Sequence, residues 1–114
     1  MALLTVIETE PFLRAAQRLF SDEEGAALIN YLAANPFAGD EIKGSGGVRK
    51  VRFATGNRGK SGGARVIYFV YSDETPLILL TCYGKSVRAN LSDAEINAFA
   101  KLAAIFKAQY RDNR

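Results

Sequence analysis

Two apolar runs fix most of what this chain can become. Residues 64–71 (ARVIYFVY) and 77–83 (LILLTCY) are rich in β-branched and aromatic side chains, and only Ser72-Asp73-Glu74-Thr75-Pro76 lies between them. Such runs read as buried strands bounded by a turn. A parallel return needs a crossover of about a dozen residues or more, so this short link forces the two strands antiparallel. Upstream, residues 48–54 alternate, with Arg49, Val51 and Phe53 on one face and Val48, Lys50, Arg52 and Ala54 on the other. Three strands joined by short connections make an antiparallel meander.

Helices surround that meander in the sequence. Residues 3–7 are apolar and β-prone, with Glu8 and Glu10 closing them, and read as a first strand. Pro11 suits the first turn of a short helix carrying Phe12, Ala15, Ala16, Leu19 and Phe20. Ser21 and Glu24 have the spacing of a capping box and open a second helix that turns Leu28, Ile29, Tyr31 and Leu32 inward. It should stop at Asn35-Pro36, because proline disfavours helical geometry in the residue before it. Ser92 and Glu95 form a second capping box, and Ile96, Phe99, Ala103, Phe106 and Tyr110 recur at helical spacing. That stripe lies on the sheet or on a partner. The expectation is one α+β domain over residues 1–114: an N-terminal strand and helical hairpin, a three-strand antiparallel meander making about four strands in all, and a C-terminal helix.

Charge is distributed unevenly along this frame. The formal net charge is only +3. Between residues 43 and 65, however, stand Lys43, Arg49, Lys50, Arg52, Arg58, Lys60 and Arg65 with no acidic residue, and the remaining 91 residues carry a net −4. Seven of the ten glycines fall in the same stretch. Glycines supply positive φ for turns, let backbone amides approach phosphates, and here alternate with cations that bind them. A solvated surface loop would intersperse acids, so the strip is expected to meet a polyanion, nucleic acid above all. Residues 54–61 (ATGNRGKS) loosely fit a nucleotide-binding P-loop, but that motif must open a helix, and here two glycines and a strand follow.

Composition excludes much catalytic chemistry. There is no histidine and one cysteine, so a His base, a Ser-His-Asp triad, a His-ligated metal, an internal disulfide and a Cys-rich zinc site are all ruled out. No metal or other cofactor is expected. Cys82 sits inside an apolar run and reads as a small buried hydrophobe. No apolar stretch approaches the roughly 20 residues of a membrane helix, and the N-terminus lacks the basic start of a signal peptide; with a single thiol, a cytoplasmic location is expected. RNA cleavage by such a chain needs groups that take the ribose 2′-hydroxyl proton, neutralise the phosphorane and protonate the leaving 5′-oxygen. Lys and Arg supply charge, and Tyr68, Tyr71 and Tyr83 could stack on a base or share a proton. Those residues would equally serve passive binding, which composition and spacing alone favour over cleavage. Structural roles compete as well: Arg49 pairing with Glu41 or Asp40, Tyr71 in the core, Phe106 and Tyr110 packing the last helix.

Five separated segments resemble, in order, the RelE/HigB-like toxins of type II toxin–antitoxin systems. They are FSDEE at 20–24 with LAANPFAGD at 32–40, IKGSGGVRKVR at 42–52, GKSGGARVIY at 59–68, LLTCYGK at 79–85 and LSDAE at 91–95; the resemblance covers roughly residues 5–107. It implies an mRNA endoribonuclease that needs no metal, acts in the A site of the 70S ribosome on mRNA being translated, and leaves a 2′,3′-cyclic phosphate or 3′-phosphate with a 5′-hydroxyl. It also implies a cognate helix-turn-helix antitoxin, contact with operator DNA only through that antitoxin, and no membrane partner. Carried onto this sequence, Lys50 and Arg52 match the basic strand, Arg65 the arginine after the glycine loop, and Lys85 the basic position after the third strand. Arg65 is assigned to the phosphorane, Lys50 or Arg52 to base or electrostatic help, and Tyr83 with Lys85 to the leaving group. Lys43, Arg49, Arg58, Lys60, Tyr68 and Arg88 are expected to bind RNA, with Arg88 compensating where relatives show Lys-Asn and this chain has Lys85-Ser86. Two other readings stay open: a non-catalytic RNA- or ribosome-binding module, and a decayed toxin that only partners its antitoxin.

Overall fold

The computed structural model describes residues 3–54, 63–85, 87–88 and 90–112. In chain order these form β1 (Val6–Glu8), α1 (Glu10–Leu19), α2 (Asp22–Ala34), β2 (Asp40–Glu41), β3 (Val48–Phe53), β4 (Ala64–Val70), β5 (Leu77–Gly84) and α3 (Asp93–Asp112). The α+β class and the element order are those the sequence implies. The sheet has five strands, in the order β1-β5-β4-β3-β2, rather than about four. Strands β3, β4 and β5 form the antiparallel meander, and β1 lies parallel to β5.

The helix starts follow their caps. The Thr9 hydroxyl caps α1, accepting from the Phe12 amide at 3.4 Å and donating to the Leu79 carbonyl at 2.7 Å, so the same side chain ties the helix to β5. Pro11 stands in the first turn, where its missing N–H costs nothing. At α2 both halves of the capping box form: the Glu24 amide donates to the Ser21 hydroxyl at 3.1 Å and the Ser21 amide to the Glu24 carboxylate at 2.9 Å. Asn35 closes α2, as the following proline requires. The first strand starts later than its apolar run, because the Leu4 amide donates to the Ala33 carbonyl at the end of α2.

The additional strand, β2, is made of two acids that no β-propensity would select. It is built by the turn that follows. Gly44, Gly46 and Gly47 all take positive φ (80°, 73° and 115°). Inside the turn Ser45 is fully buried; its hydroxyl donates to the Ile42 carbonyl at 2.6 Å and accepts from the Val48 amide at 3.1 Å. The turn folds residues 40 and 41 back onto Lys50 and Arg49.

Both faces of the sheet are covered. On one, Phe12, Phe20, Leu28 and Leu32 pack over Val51, Val66, Tyr68, Val70, Leu77, Leu79 and Cys82. A fully buried leucine such as Leu28 or Leu32 contributes roughly 1.5–3 kcal/mol. On the other, Val48, Ile67, Phe69, Ile78, Leu80 and Tyr83 meet Ala103, with Phe99, Phe106 and Tyr110 packed around them. The apolar stripe of the last helix therefore lies on the sheet. Phe106 stacks tilted on Phe69 and Tyr110 on Tyr71, at 5.9 and 6.0 Å between ring centres. Burial pushes the Cys82 thiol up to about 12, so it stays protonated and packs as the small hydrophobe expected.

Candidate nucleic-acid interface

Strand register decides which cations share a surface. Arg52 lies opposite Arg65, and Arg65 lies opposite Tyr83, so the three form one row across β3, β4 and β5. Two residues further in, Lys50 faces Ile67, which faces Thr81. Alternation puts Lys50 and Arg52 on the face of Val48, and Arg65 on the face of Ile67 and Phe69. That is the α3 face. Arg65, which shares its side of β4 with core residues, thus reaches the surface at the strand's end, where Arg52 is exposed and Lys50 and Arg65 are half-buried.

Like charges directly opposite in an antiparallel pair destabilise it. An anionic group between Arg52 and Arg65 converts the repulsion into attraction and takes the bidentate contacts that guanidinium offers phosphate.

Described residues between β5 and α3 reach the same end of the sheet. The Lys85 amide donates to the Gly63 carbonyl at 3.1 Å, which holds the exposed Lys85 at the same end of the sheet as Arg65. The Arg88 guanidinium lies 4.7 Å above the Tyr83 ring centre, and Tyr83 is 7% exposed. Arg88 donates through both terminal nitrogens to the two Glu95 oxygens, each at 2.8 Å. The Lys50 ammonium donates to the Asn90 side-chain oxygen at 3.3 Å. Burial raises the pKa of the Tyr83 hydroxyl, with Arg88 and then Arg65 opposing the shift and Glu95 adding to it.

Other expected residues lie elsewhere. Tyr68 is fully buried under α1 and α2, its hydroxyl accepting from the Gly39 amide at 2.8 Å, so the structure does not bring it to the row. Its hydroxyl pKa is raised by burial. Arg49 faces the same way as Tyr68. It donates to the Gly39 carbonyl at 2.6 Å and stacks 5.1 Å from the Phe37 ring centre, in place of the carboxylate pairing considered from sequence. Lys43 is exposed on the β2–β3 turn, at the opposite end of β3 from Arg52. Arg58 and Lys60 lie outside the described residues, as does Ser86. An open cavity of about 310 Å³, lined by Phe37, Arg49, Phe69, Tyr71 and Lys107 among others, sits at that far end, away from the cationic row.

Two contributors escaped the sequence reading. Asn90 carried no motif, and Glu95 was legible only as a helix cap. Nothing local announces that a residue after β5 will reach Lys50; it follows from the pairing of β3 with β4 and of β4 with β5. Among the described residues, no three His, Cys, Asp or Glu side chains gather as a bound cation would require, and no helix is long and apolar enough to cross a membrane.

Comparisons with known proteins identify the family and the fold. Residues 5–113 match the model of the RelE toxin of the RelE/RelB toxin–antitoxin system. Among solved structures, a doubly arginine-substituted mutant of Escherichia coli toxin RelE in the free state is similar in fold. The TM-score is 0.56 at 17% identity, over 88% of this chain and 95% of that one. The family match spans nearly the whole sequence, and the chain belongs to the RelE family of toxins from toxin–antitoxin systems.

Proposed function

We propose that this toxin is a metal-independent endoribonuclease that cuts mRNA in the ribosomal A site and so arrests translation. A cognate helix-turn-helix antitoxin neutralises it and carries the pair to operator DNA. The observation that carries the reading is the row Arg52–Arg65–Tyr83 with Lys50 beside it, four groups of the chemistry that RNA cleavage without histidine demands.

In this reaction the ribose 2′-oxygen bonds to the adjacent phosphorus while the bond from phosphorus to the 5′-oxygen breaks. The products are a 2′,3′-cyclic phosphate and a 5′-hydroxyl. Arg65, at the centre of the row, takes the charge that accumulates on the non-bridging oxygens, and Arg52 opposite it adds a second guanidinium. Lys50 serves the 2′-hydroxyl as base or as electrostatic help. Tyr83 suits the leaving group: with its pKa raised above the ordinary 10, the hydroxyl keeps its proton at neutral pH and can donate it to the departing 5′-oxygen, with Lys85 nearby.

Inducible expression with mapping of transcript 5′ ends tests the reading. The expected result is growth arrest with new mRNA ends inside codons, both abolished by Arg65→Ala. Harmless expression of the unaltered chain with unchanged mRNA would overturn it.

A further inference from the structure

Two side-chain bridges hold the residues between β5 and α3, Lys50 of the row to Asn90 and Arg88 to Glu95 in the first turn of α3. The second does more than a helix cap needs. A capping box asks only for one acceptor at the third helical residue, and Glu95 meets that demand by accepting from the Ser92 amide through Oε1 at 2.8 Å. Its other oxygen, Oε2, is spent on Arg88 Nη2, making a two-pronged pair that fixes the plane of the guanidinium as well as its place. The guanidinium carbon lies 4.7 Å over the Tyr83 ring centre, and Tyr83 lies opposite Arg65 in the row. The Arg88 and Glu95 side chains are 38% and 35% exposed, and an ion pair that open to solvent adds little to stability. Its consequence is orientation.

We propose that Glu95 is a positioning residue for RNA cleavage, acting through Arg88 to hold the Tyr83 ring and its hydroxyl at the reacting end of the row. This rests on the endoribonuclease reading above. Glu95 touches no RNA. It removes one rotational freedom from Arg88, whose guanidinium lies over the Tyr83 ring, so that Tyr83 meets the phosphate in a single pose.

Three variants separate this role from helix capping. Glu95→Gln keeps the cap acceptor and loses the charge and one prong. Arg88→Lys keeps the charge and loses the planar fork. Ser92→Ala removes the cap hydroxyl and leaves the Arg88–Glu95 pair in place. Single-turnover cleavage of mRNA on programmed ribosomes should slow by about tenfold or more in Glu95→Gln and in Arg88→Lys, with ribosome affinity unchanged in Glu95→Gln. The double variant should be no slower than either single one. Ser92→Ala should lower stability and keep the wild-type rate. Ultraviolet titration of tyrosinate should show one tyrosine shifted in Glu95→Gln and Arg88→Lys, and none in Ser92→Ala. If the unaltered chain cleaves and both Glu95→Gln and Arg88→Lys cleave at its rate, the positioning role is overturned while the endoribonuclease stands. If the unaltered chain cleaves nothing, the endoribonuclease reading fails and takes this role with it.

Discussion

Arg49 and Lys50 are neighbours in the chain with opposite fates. Alternation sends Lys50 to the α3 face and the cationic row, and Arg49 to the other face, against Phe37 and the Gly39 carbonyl. Glu95 shows how much one side chain can gather: a cap hydrogen bond, both prongs of an arginine, and through that arginine a tyrosine ring. Its environment also predicts a pH dependence. The Arg88 hydrogen bonds foremost, then the Ser92 amide, hold the Glu95 carboxyl at about 2, below its ordinary 4.5. A carboxyl whose folded pKa is depressed contributes stability that is fully present above the ordinary value and is lost as pH falls toward the folded one. Wild type should therefore lose an increment of stability between about 4.5 and about 2 that Glu95→Gln never had. Denaturant unfolding of both proteins across that range checks it. The two curves should converge on acidification, and a constant gap between them would contradict the assignment. Because the pair is about one-third exposed, the increment is small and only its direction is fixed.

At the scale of elements, legibility in the sequence followed the range of the forces involved. Both capping boxes, the stop at Asn35-Pro36, the meander and the α3 stripe are set by residues within a turn or two of each other, and all five could be read directly. Strand β2 could not, because its acids pair with β3 only after a turn has brought them round, and that turn depends on the buried Ser45. The candidate site divided in the same way. Alternation within β3 showed that Lys50 and Arg52 share a face, but which helices cover which face is a tertiary fact. Sequence therefore does not show that Tyr68 packs beneath α1 and α2 or that Arg49 lies beside Phe37. Ser45→Ala tests the turn. It strands the Val48 amide in a buried setting without its acceptor, which costs about 1–3 kcal/mol. Urea unfolding should show that loss, and hydrogen exchange should show it concentrated in residues 40–48, with β4 and β5 still protected. A uniform loss across the sheet would mean that the turn is not the unit Ser45 organises.

For the whole molecule, the division of charge becomes a division of surfaces. Among the described residues, the cations of the +7 strip do not form one patch. Register sends Lys50, Arg52 and Arg65 to one end of the α3 face, whereas Arg49 and Lys43 stand on the opposite face or at the opposite end. Counterion release gives this separation a measurable form. Single-stranded RNA bound by neutralising phosphates loses affinity with salt at a log–log slope of about −0.7 per phosphate contacted. If the row is the contact surface, Arg52→Ala and Arg65→Ala should each make the slope shallower by about 0.7. Arg49→Ala should leave it unchanged, because that guanidinium is committed to Gly39 and Phe37 on the far side. Fluorescence anisotropy with a short labelled RNA over a series of salt concentrations reads all three slopes. A slope that falls equally for Arg49 and Arg52 would mean that RNA wraps both faces, and the row would then be one part of a larger track rather than the surface that chooses where the strand lies.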